Sequence, residues 1–358
     1  MSGGVFVIAE AGVNHNGSLE LALQLLDAAA AAGADAVKFQ SFKAELLVSR
    51  EAPKAQYQLN GSGAGESQFE MLKKLELNQE WHRTLLRRCQ EKGIQFLSTP
   101  FDPESLDFLA VSLALPVLKI SSGEITNAPL LLQAAQTGRS LLLSTGMSTL
   151  AEVEEALGVL AFGYANTEGA PSCRAFRDAY CADQGQEALR EKVTLLHCTT
   201  EYPAPFREVN LRAVDTLRAA FGLPVGFSDH TPGIAVAIAA VARGAAVIEK
   251  HFTLDRTLPG PDHQASLEPE QLKEMITAIR QVESALGSAI KAPTASEAKN
   301  LPVARKSLVA AGIIGKGEKF SADNLAAKRP GTGISPMRYW EWIGKDAQRD
   351  YARDEQVT

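Results

Sequence analysis

The sequence predicts an α/β protein: a (β/α)8 TIM barrel followed by a small, separate C-terminal domain. Three observations point there. Eight short apolar segments alternate with longer amphipathic ones over about 290 residues. Polar and charged side chains gather at the C-terminal ends of those apolar segments. The alternation then stops at Gly287, and a different rhythm follows.

The strand candidates are Val5–Val13, Asp35–Phe42, Ile94–Phe101, Val117–Glu124, Ser140–Met147, Val193–Thr200, Val225–Thr231 and Val247–Thr253. Each is rich in Val, Ile, Leu or Phe and bounded by Gly, Pro or polar residues. Helical patterns follow at Ser18–Ala32, Pro103–Ala114, Asn127–Thr137 and Thr149–Phe162. The last barrel helix is Pro269–Leu286, where Glu268 and Glu270 suit the positive end of the helix dipole. After the second strand, helices at Glu66–Leu77 and Gln79–Lys92 come only after a longer polar loop. A doubly wound sheet also alternates, but the turn Ala11-Gly12-Val13-Asn14 has no GxGxxG. The barrel domain is therefore expected at 1–287. Residues 163–190 break its rhythm and read as a polar insertion between strands five and six. Residues 288–304 read as a linker. Residues 305–358 read as a turn-rich domain near the lower size limit for folding unaided.

A net charge of -6 argues against a nucleic-acid partner, which a basic excess would mark. An anionic substrate would then need a local basic pocket. Cys89, Cys173, Cys181 and Cys198 are too few for a disulfide framework in a chain this long. Cys173 and Cys181 could pair in principle, but free thiols in a reducing cytoplasm are expected. No leader-like segment and no membrane-crossing run is read, so the expected location is cytoplasmic.

In a barrel, the C-terminal strand ends carry the active site. Here they carry Glu10, Asn14 and His15; Lys38 and Gln40; Ser98 and Thr99; Lys119, Ser121, Ser122 and Glu124; and Ser144 and Thr145. Strands six to eight add His197, Thr199, Thr200, Glu201 and Tyr202, then Ser228, Asp229 and His230, then Glu249, Lys250 and His251. One such residue is an ordinary cap. Eight strands pointing polar groups at one rim imply a polar, multiply charged ligand.

The rim sorts into three groups. Lys38 and Lys119, with Ser122, Ser144 and Ser228, resemble a cradle for phosphate and carboxylate. Either lysine could instead pair with a neighbouring Glu or form a Schiff base. His230 and His251 end adjacent strands, near Glu249 and Asp262. Their imidazoles suit a divalent cation such as Mn²⁺, Zn²⁺ or Fe²⁺ in an open site, two histidines being too few for a closed one. Glu10, Glu124, Glu249 and Asp262 are the carboxylates able to position water or sugar hydroxyls.

Ile8-Ala9-Glu10-Ala11-Gly12-Val13-Asn14-His15-Asn16-Gly17, Lys38-Phe39-Gln40, Ser98-Thr99-Pro100-Phe101-Asp102 and Lys119-Ile120-Ser121-Ser122-Gly123-Glu124 resemble the sialic acid synthases. So do Ser144-Thr145-Gly146-Met147, His197-Cys198-Thr199-Thr200-Glu201-Tyr202-Pro203, Ser228-Asp229-His230-Thr231, Glu249-Lys250-His251-Phe252-Thr253, Gly260-Pro261-Asp262-His263 and Lys328-Arg329-Pro330-Gly331. The likeness spans nearly the whole chain and is nearest to bacterial N-acetylneuraminate and legionaminate synthases.

The resemblance implies an antifreeze-like (SAF) C-terminal domain in a domain-swapped homodimer, with Arg329 reaching the sugar in the partner's site. It implies metal ligation by His230 and His251, with Mn²⁺ expected and Mg²⁺ or Co²⁺ as alternatives. Phosphoenolpyruvate would meet Lys38, Lys119, Ser122, Ser144 and Ser228. The sugar would meet Gln40, Tyr202, Glu249 and Asp262, and Thr99, Phe101 and Thr200 join the substrate contacts. Glu10, Lys119 and Glu124 are expected to act in catalysis, Glu124 beside the attacking water. The implied reaction joins phosphoenolpyruvate, water and an N-acyl mannosamine-type sugar, N-acetylmannosamine or 2,4-diacetamido-2,4,6-trideoxymannose. It gives N-acetylneuraminate or legionaminate, and phosphate leaves by C–O cleavage. Thr200 departs from members that carry Asn there, though a hydroxyl can still donate to phosphate. The competing readings are a metal-independent Schiff-base pyruvate aldolase and a non-catalytic carbohydrate-binding barrel.

Overall fold

In the computed structural model, residues 4–54, 67–165 and 169–358 are described. Eight parallel strands form one sheet: β1 (Phe6–Gly12), β2 (Ala36–Ser41), β3 (Gln95–Pro100), β4 (Val117–Ile120), β5 (Ser140–Ser144), β6 (Val193–Cys198), β7 (Val225–Asp229) and β8 (Val247–His251). Their order is β3-β2-β1-β8-β7-β6-β5-β4, and β3 packs beside β4, so the sheet curls into a barrel. All eight fall inside the predicted segments. The fourth is shorter than expected, because the chain leaves β4 at Ile120 for a 3-10 turn at Ser122–Glu124.

The period of two along each strand makes two different surfaces. Outward residues such as Val7, Val37, Phe39, Leu118, Leu143, Leu195, Phe227 and Ile248 join the helices in the main core. Inward residues form an apolar ring from Ile8, Ala36, Leu97, Leu142, Leu196 and Val247, with Val117 packed against it. Two positions further along the same strands come Glu10, Lys38, Thr99, Ser144, Cys198, Glu249 and Lys119. A greasy plug thus closes the barrel beneath these polar groups.

The helices begin and end where their local chemistry dictates. Ser18 caps Leu19–Ala32 by accepting from the Leu21 N–H, and Gly33 closes it with φ 85°. Thr149 and Glu152 form a capping box at the start of Leu150–Tyr164. The pattern read as one helix over Pro103–Ala114 divides into an α-helix, Pro103–Asp107, and a π-helical turn, Phe108–Ser112. Of the helix expected at Glu66–Leu77, Glu66 lies outside the described residues and Gln68–Lys74 is helical.

Residues 163–190 are more ordered than their polarity implied. They include the end of Leu150–Tyr164, then helix Cys173–Cys181 and most of Asp183–Lys192, which runs directly into β6. Residues 166–168 lie outside the described set. Phe162 meets Phe176 edge-on with ring centroids 5.4 Å apart, and a Cβ on Gly158 would lie 3.1 Å from the Phe176 carbonyl oxygen. Small residues therefore let these helices pack closely against the barrel's own. All four cysteines are free. Cys173 and Cys181 stand at opposite ends of one helix, roughly 12 Å apart by helical rise, beyond disulfide reach.

The chain divides into two compact units, Met1–Gly287 and Ser288–Thr358. In the second unit, the stretch read as a linker contains two one-turn helices, Ala295–Ala298 and Leu301–Ala304. Strand β9 (Ser307–Ala310) pairs antiparallel with β10 (Leu325–Lys328) over a core of Leu308, Ile314, Phe320, Leu325, Tyr351 and Val357. Ser307 donates to the Pro330 carbonyl and accepts from the Gly333 N–H, which pins the Arg329–Gly333 turn. Among the described residues no helix is long and apolar enough to cross a membrane.

Gly226 on β7 lies directly against the apolar ring. A Cβ there would lie 2.5 Å from the Val247 carbonyl oxygen and 2.6 Å from Leu196 Cδ2. Gly226→Ala is expected to destabilise the protein by about 1–3 kcal/mol through overpacking. A denaturant midpoint unchanged from the parent chain would refute this account of the ring.

Candidate active site

A cavity of about 370 Å³ opens at the C-terminal ends of the strands. The predicted residues of the barrel all line it. They are Glu10, Lys38, Gln40, Thr99 and Phe101 from the first three strands and Lys119, Ser122, Glu124 and Ser144 from the next two. Thr200, Tyr202, Ser228, His230, Glu249, His251 and Asp262 complete them. Arg329 belongs to the second unit, where its Nε donates to the Ala304 carbonyl.

Buried charge sets the centre of the cavity. Lys38 Nζ lies 2.6 Å from Glu10 Oε2 and 3.5 Å from Glu249 Oε2, and donates to Thr99 Oγ1 at 2.9 Å. Lys119 Nζ lies 3.4 Å from Glu249 Oε1, which also accepts from the Ser228 hydroxyl at 2.7 Å. The four charged side chains are at most 5% exposed, so each must be compensated by the others. Burial pushes the Glu10 carboxyl up to about 7, against the pull of Lys38. Burial opposes the Glu249 charge too, but Lys119, Lys38 and Ser228 outweigh it and hold that carboxyl well below the usual range. The same balance lifts Lys38, whereas burial prevails at Lys119 and lowers it.

Beside the lysines lies a pocket of hydroxyls. The Gly146 N–H donates to Ser122 Oγ at 2.9 Å, and Ser122 Oγ is 3.0 Å from Cys198 Sγ. A Cβ on Gly146 would overlap Thr200 Oγ1 and lie 2.8 Å from Ser122 Oγ, so only glycine permits this convergence. Ser144 Oγ and Thr200 Oγ1 are buried without a hydrogen-bond partner. Buried hydroxyls without a protein partner are free to bond water or a ligand.

His230 and His251 face each other with ring centroids 5.4 Å apart. His230 Nδ1 lies 2.7 Å from the Thr199 carbonyl oxygen, which can only accept. In the neutral ring Nδ1 therefore carries the proton, and Nε2, 3.4 Å from Ser228 Oγ, presents a lone pair. His251 Nδ1 is buried without a hydrogen-bond partner, 3.9 Å from Asp262 Oδ2. Burial keeps both rings neutral, His230 at about 4 and His251 well below its ordinary value. Two neutral imidazoles with available nitrogens fit a divalent cation. Among the described residues no group of three or more His, Cys, Asp or Glu has metal-cage geometry, so the remaining ligands would come from water or substrate.

Residues 25–291 match the NeuB family, and residues 305–358 match the SAF domain. The chain belongs to the NeuB family. It is 52% identical to the N,N'-diacetyllegionaminic acid synthase of Campylobacter jejuni, over 98% of both chains. It is 46% identical to that of Legionella pneumophila, over 95% of this chain and 89% of the relative. The crystal structure of an N-acetylneuraminic acid (sialic acid) synthetase from Leptospira borgpetersenii superposes with a TM-score of 0.67 at 34% identity, covering 83% of this chain and 90% of that one. The family suggested by the strand-end motifs is thus the family found.

Within this NeuB-family barrel, the remaining site residues flank the charged centre. Glu124 accepts from Asn127 Nδ2 at 2.7 Å, and Gln40 Nε2 reaches Glu10 Oε1 at 3.5 Å. Tyr202 lies over His230 with centroids 4.2 Å apart. Burial pushes the Asp262 carboxyl up to about 6.

Several rim residues point away from the cavity instead. His197 bonds the Val209 carbonyl, and Ser98 bonds Ser41, which also meets His82. Asn14 ties Phe252 O to Ser266, and Lys250 pairs with Asp229 at 2.9 Å. Sequence reasoning missed Cys198, which alternation along β6 from Leu196 would have placed inside. It also missed an apolar wall that includes Val48, Met71 and Leu72, for which no local signal exists.

All six histidines are depressed by burial, with His15, His230 and His263 at about 4. Unfolded histidines protonate near 6.5 while these rings stay neutral, so stability falls as pH drops from 6.5 toward 4. A ring held at about 4 contributes on the order of 2 kcal/mol of this loss at pH 5. Glu10 and Asp262, raised to about 7 and about 6, oppose the trend but are outnumbered. In chelator-treated protein the urea midpoint should therefore be lower at pH 5 than at pH 7, and a higher midpoint at pH 5 would contradict this.

Proposed function

We propose that this NeuB-family enzyme condenses phosphoenolpyruvate with an N-acyl mannosamine-type sugar and water, giving a nonulosonic acid and phosphate. The observation that carries the proposal is the pairing of two opposed features in one cavity. Buried lysines stand beside unspent hydroxyls on one side, and two neutral imidazoles converge on the other. The first suits a small trianion and the second a carbonyl oxygen.

Lys38 and Lys119 hold the carboxylate and phosphate, with Ser122, Ser144 and Thr200 donating to the phosphoryl oxygens and Ser228 turning its hydroxyl from Glu249 to join them. His230 and His251 would hold a divalent cation, Mn²⁺ foremost. Such an ion supplies Lewis-acid polarisation of the open-chain sugar's aldehyde oxygen when bound. Gln40, Tyr202, Glu249 and Asp262 orient the sugar so that its C1 meets C3 of phosphoenolpyruvate. The new C–C bond leaves positive charge at C2, and the aldehyde oxygen takes a proton to become a hydroxyl. Water adds at C2 on the side of Glu124, which accepts its proton. The C2 hydroxyl then gives up its proton and becomes the ketone as the C2–O bond to phosphate breaks, and phosphate leaves with the bridging oxygen and that proton. Glu10 balances Lys38 throughout.

The second unit exposes Ile313, Met337 and Trp340 by more than 80% each, which suits docking on another protein surface. We assign that surface to a second copy, in a domain-swapped homodimer where Arg329 completes the partner's sugar site. The four free thiols suit a reducing compartment, and we place the enzyme in the cytoplasm.

Purified protein with Mn²⁺ should release phosphate from phosphoenolpyruvate only when an N-acyl mannosamine-type sugar is present. Label on the bridging oxygen should leave wholly with phosphate, and label retained in the sugar acid would refute C–O cleavage. His251→Ala should lose Mn²⁺ binding by calorimetry and at least 100-fold in turnover; full turnover in that variant would overturn the ligand assignment. Mixing inactive His251→Ala with inactive Arg329→Ala chains and letting them reassociate should restore about a quarter of the parent turnover, because half the dimers regain one complete site. No recovery on mixing would rule out a site shared between chains.

A further inference from the structure

One buried group lining the cavity takes no part in the condensation chemistry. Cys198 ends β6 with its side chain turned inward, two residues past Leu196 of the apolar ring. Its Sγ lies 3.0 Å from Ser122 Oγ, which also accepts from the Gly146 N–H at 2.9 Å. Three chain segments thus converge on one hydroxyl: the end of β6, the 3-10 turn after β4 and the loop after β5. The fit is close, since a Cβ on Gly146 would lie 2.9 Å from the sulfur.

The bonding capacity of Ser122 limits what its hydroxyl can do. A serine hydroxyl has two lone pairs and one proton. The Gly146 N–H occupies one lone pair. That N–H also faces the sulfur, which leaves the thiol's own proton to reach Ser122 Oγ. Cys198 is only 5% exposed, and burial pushes its thiol up, so the sulfur keeps that proton. Oxygen accepts better than sulfur, so the S–H fills the second lone pair. The Ser122 proton is then left for the cavity, beside Thr200 Oγ1, which is buried without a partner.

We propose that Cys198 is a positioning residue for phosphate recognition: its thiol donates to Ser122 Oγ and so aims the Ser122 hydroxyl at the phosphoryl group. The inference rests on the synthase reading and gives a task to a residue that touches neither substrate. An S–H to O–H to phosphoryl chain also strengthens each of its bonds by polarising the next.

The test measures kcat and KM for each substrate by phosphate release, in the parent chain, Cys198→Ala, Cys198→Ser, Ser122→Ala and the double alanine variant. Cys198→Ala should raise KM for phosphoenolpyruvate about 5- to 10-fold, the cost of one misdirected hydrogen bond to an anion, and leave KM for the sugar within about 2-fold. Cys198→Ser, which restores a donor, should recover most of that loss. Without Ser122 the thiol has nothing to orient, so Cys198→Ala should add no further loss in the Ser122→Ala background. Equal losses in both backgrounds, or equal rises in KM for both substrates, would overturn the proposal. A second readout needs neither a stable alanine variant nor turnover. Inorganic phosphate added to the parent should move one infrared S–H stretch, the one missing from Cys198→Ser, to lower wavenumber. A band that stays in place would equally overturn the proposal. No phosphate release from the parent with any N-acyl mannosamine-type sugar would instead overturn the synthase reading, and the S–H band would still decide the role of Cys198.

Discussion

The rest of the site depends on four charges held in a closed barrel with little water to screen them. Glu10, Lys38, Glu249 and Lys119 come from β1, β2, β8 and β4, and each needs the others because the apolar ring lies directly beneath them. Removing Lys38 would leave Glu10 buried and uncompensated, and removing Glu249 would do the same to Lys119. This constraint positions the chemistry. The lysines cannot turn away from the carboxylates, so they stay aimed at the cavity. A trianion that enters finds positive charge already desolvated, which strengthens its attraction relative to water. Glu249 must then share both lysines with the ligand, and those lysines and Ser228 maintain its ionised state.

A second buried network holds the strands that carry these charges. It lies on the outward face at alternate positions, one residue from the functional ones. Lys250 pairs with Asp229, and Asp229 accepts from both the N–H and hydroxyl of Thr231. The chain segments bearing His230 and His251 are thereby locked to each other. Asn14 performs the same task between the first strand's loop and the chain after β8. Polar residues at the strand ends thus divide between chemistry facing in and bracing facing out.

That division explains what could be read in advance. Glu10, Lys38, Thr99, Lys119, Ser144, Ser228 and Glu249 alternate in step with the apolar residues preceding them, so period two alone places them inside. His197, Asp229 and Lys250 are equally polar and equally near the rim, and only strand alternation separates them from ligands. The helices over 163–190 were hidden because their buried side is narrow. Ala179 and Leu189 are buried there amid Arg, Asp, Glu and Gln, and glycines at 158 and 185 supply fit without adding hydrophobicity. The apolar wall was hidden for the opposite reason. Leu47, Met71 and Leu72 look like ordinary core residues until the fold leaves them lining a cavity.

The sequence by itself determined the barrel, the eight strand ends and the kinds of chemical group gathered there, because strand period and residue type are local properties. It also carried the family, through motifs spread along the whole chain. Only the tertiary structure decided which groups meet. Closure of the sheet brought Glu249 between two lysines that lie 81 residues apart in the chain, and a carbonyl from β6's loop set the proton on His230. The wall, too, exists only where segments around residues 47 and 72 fold over the strand ends. Proximity in the folded chain is a property of the sheet's circular order, and no local pattern encodes it.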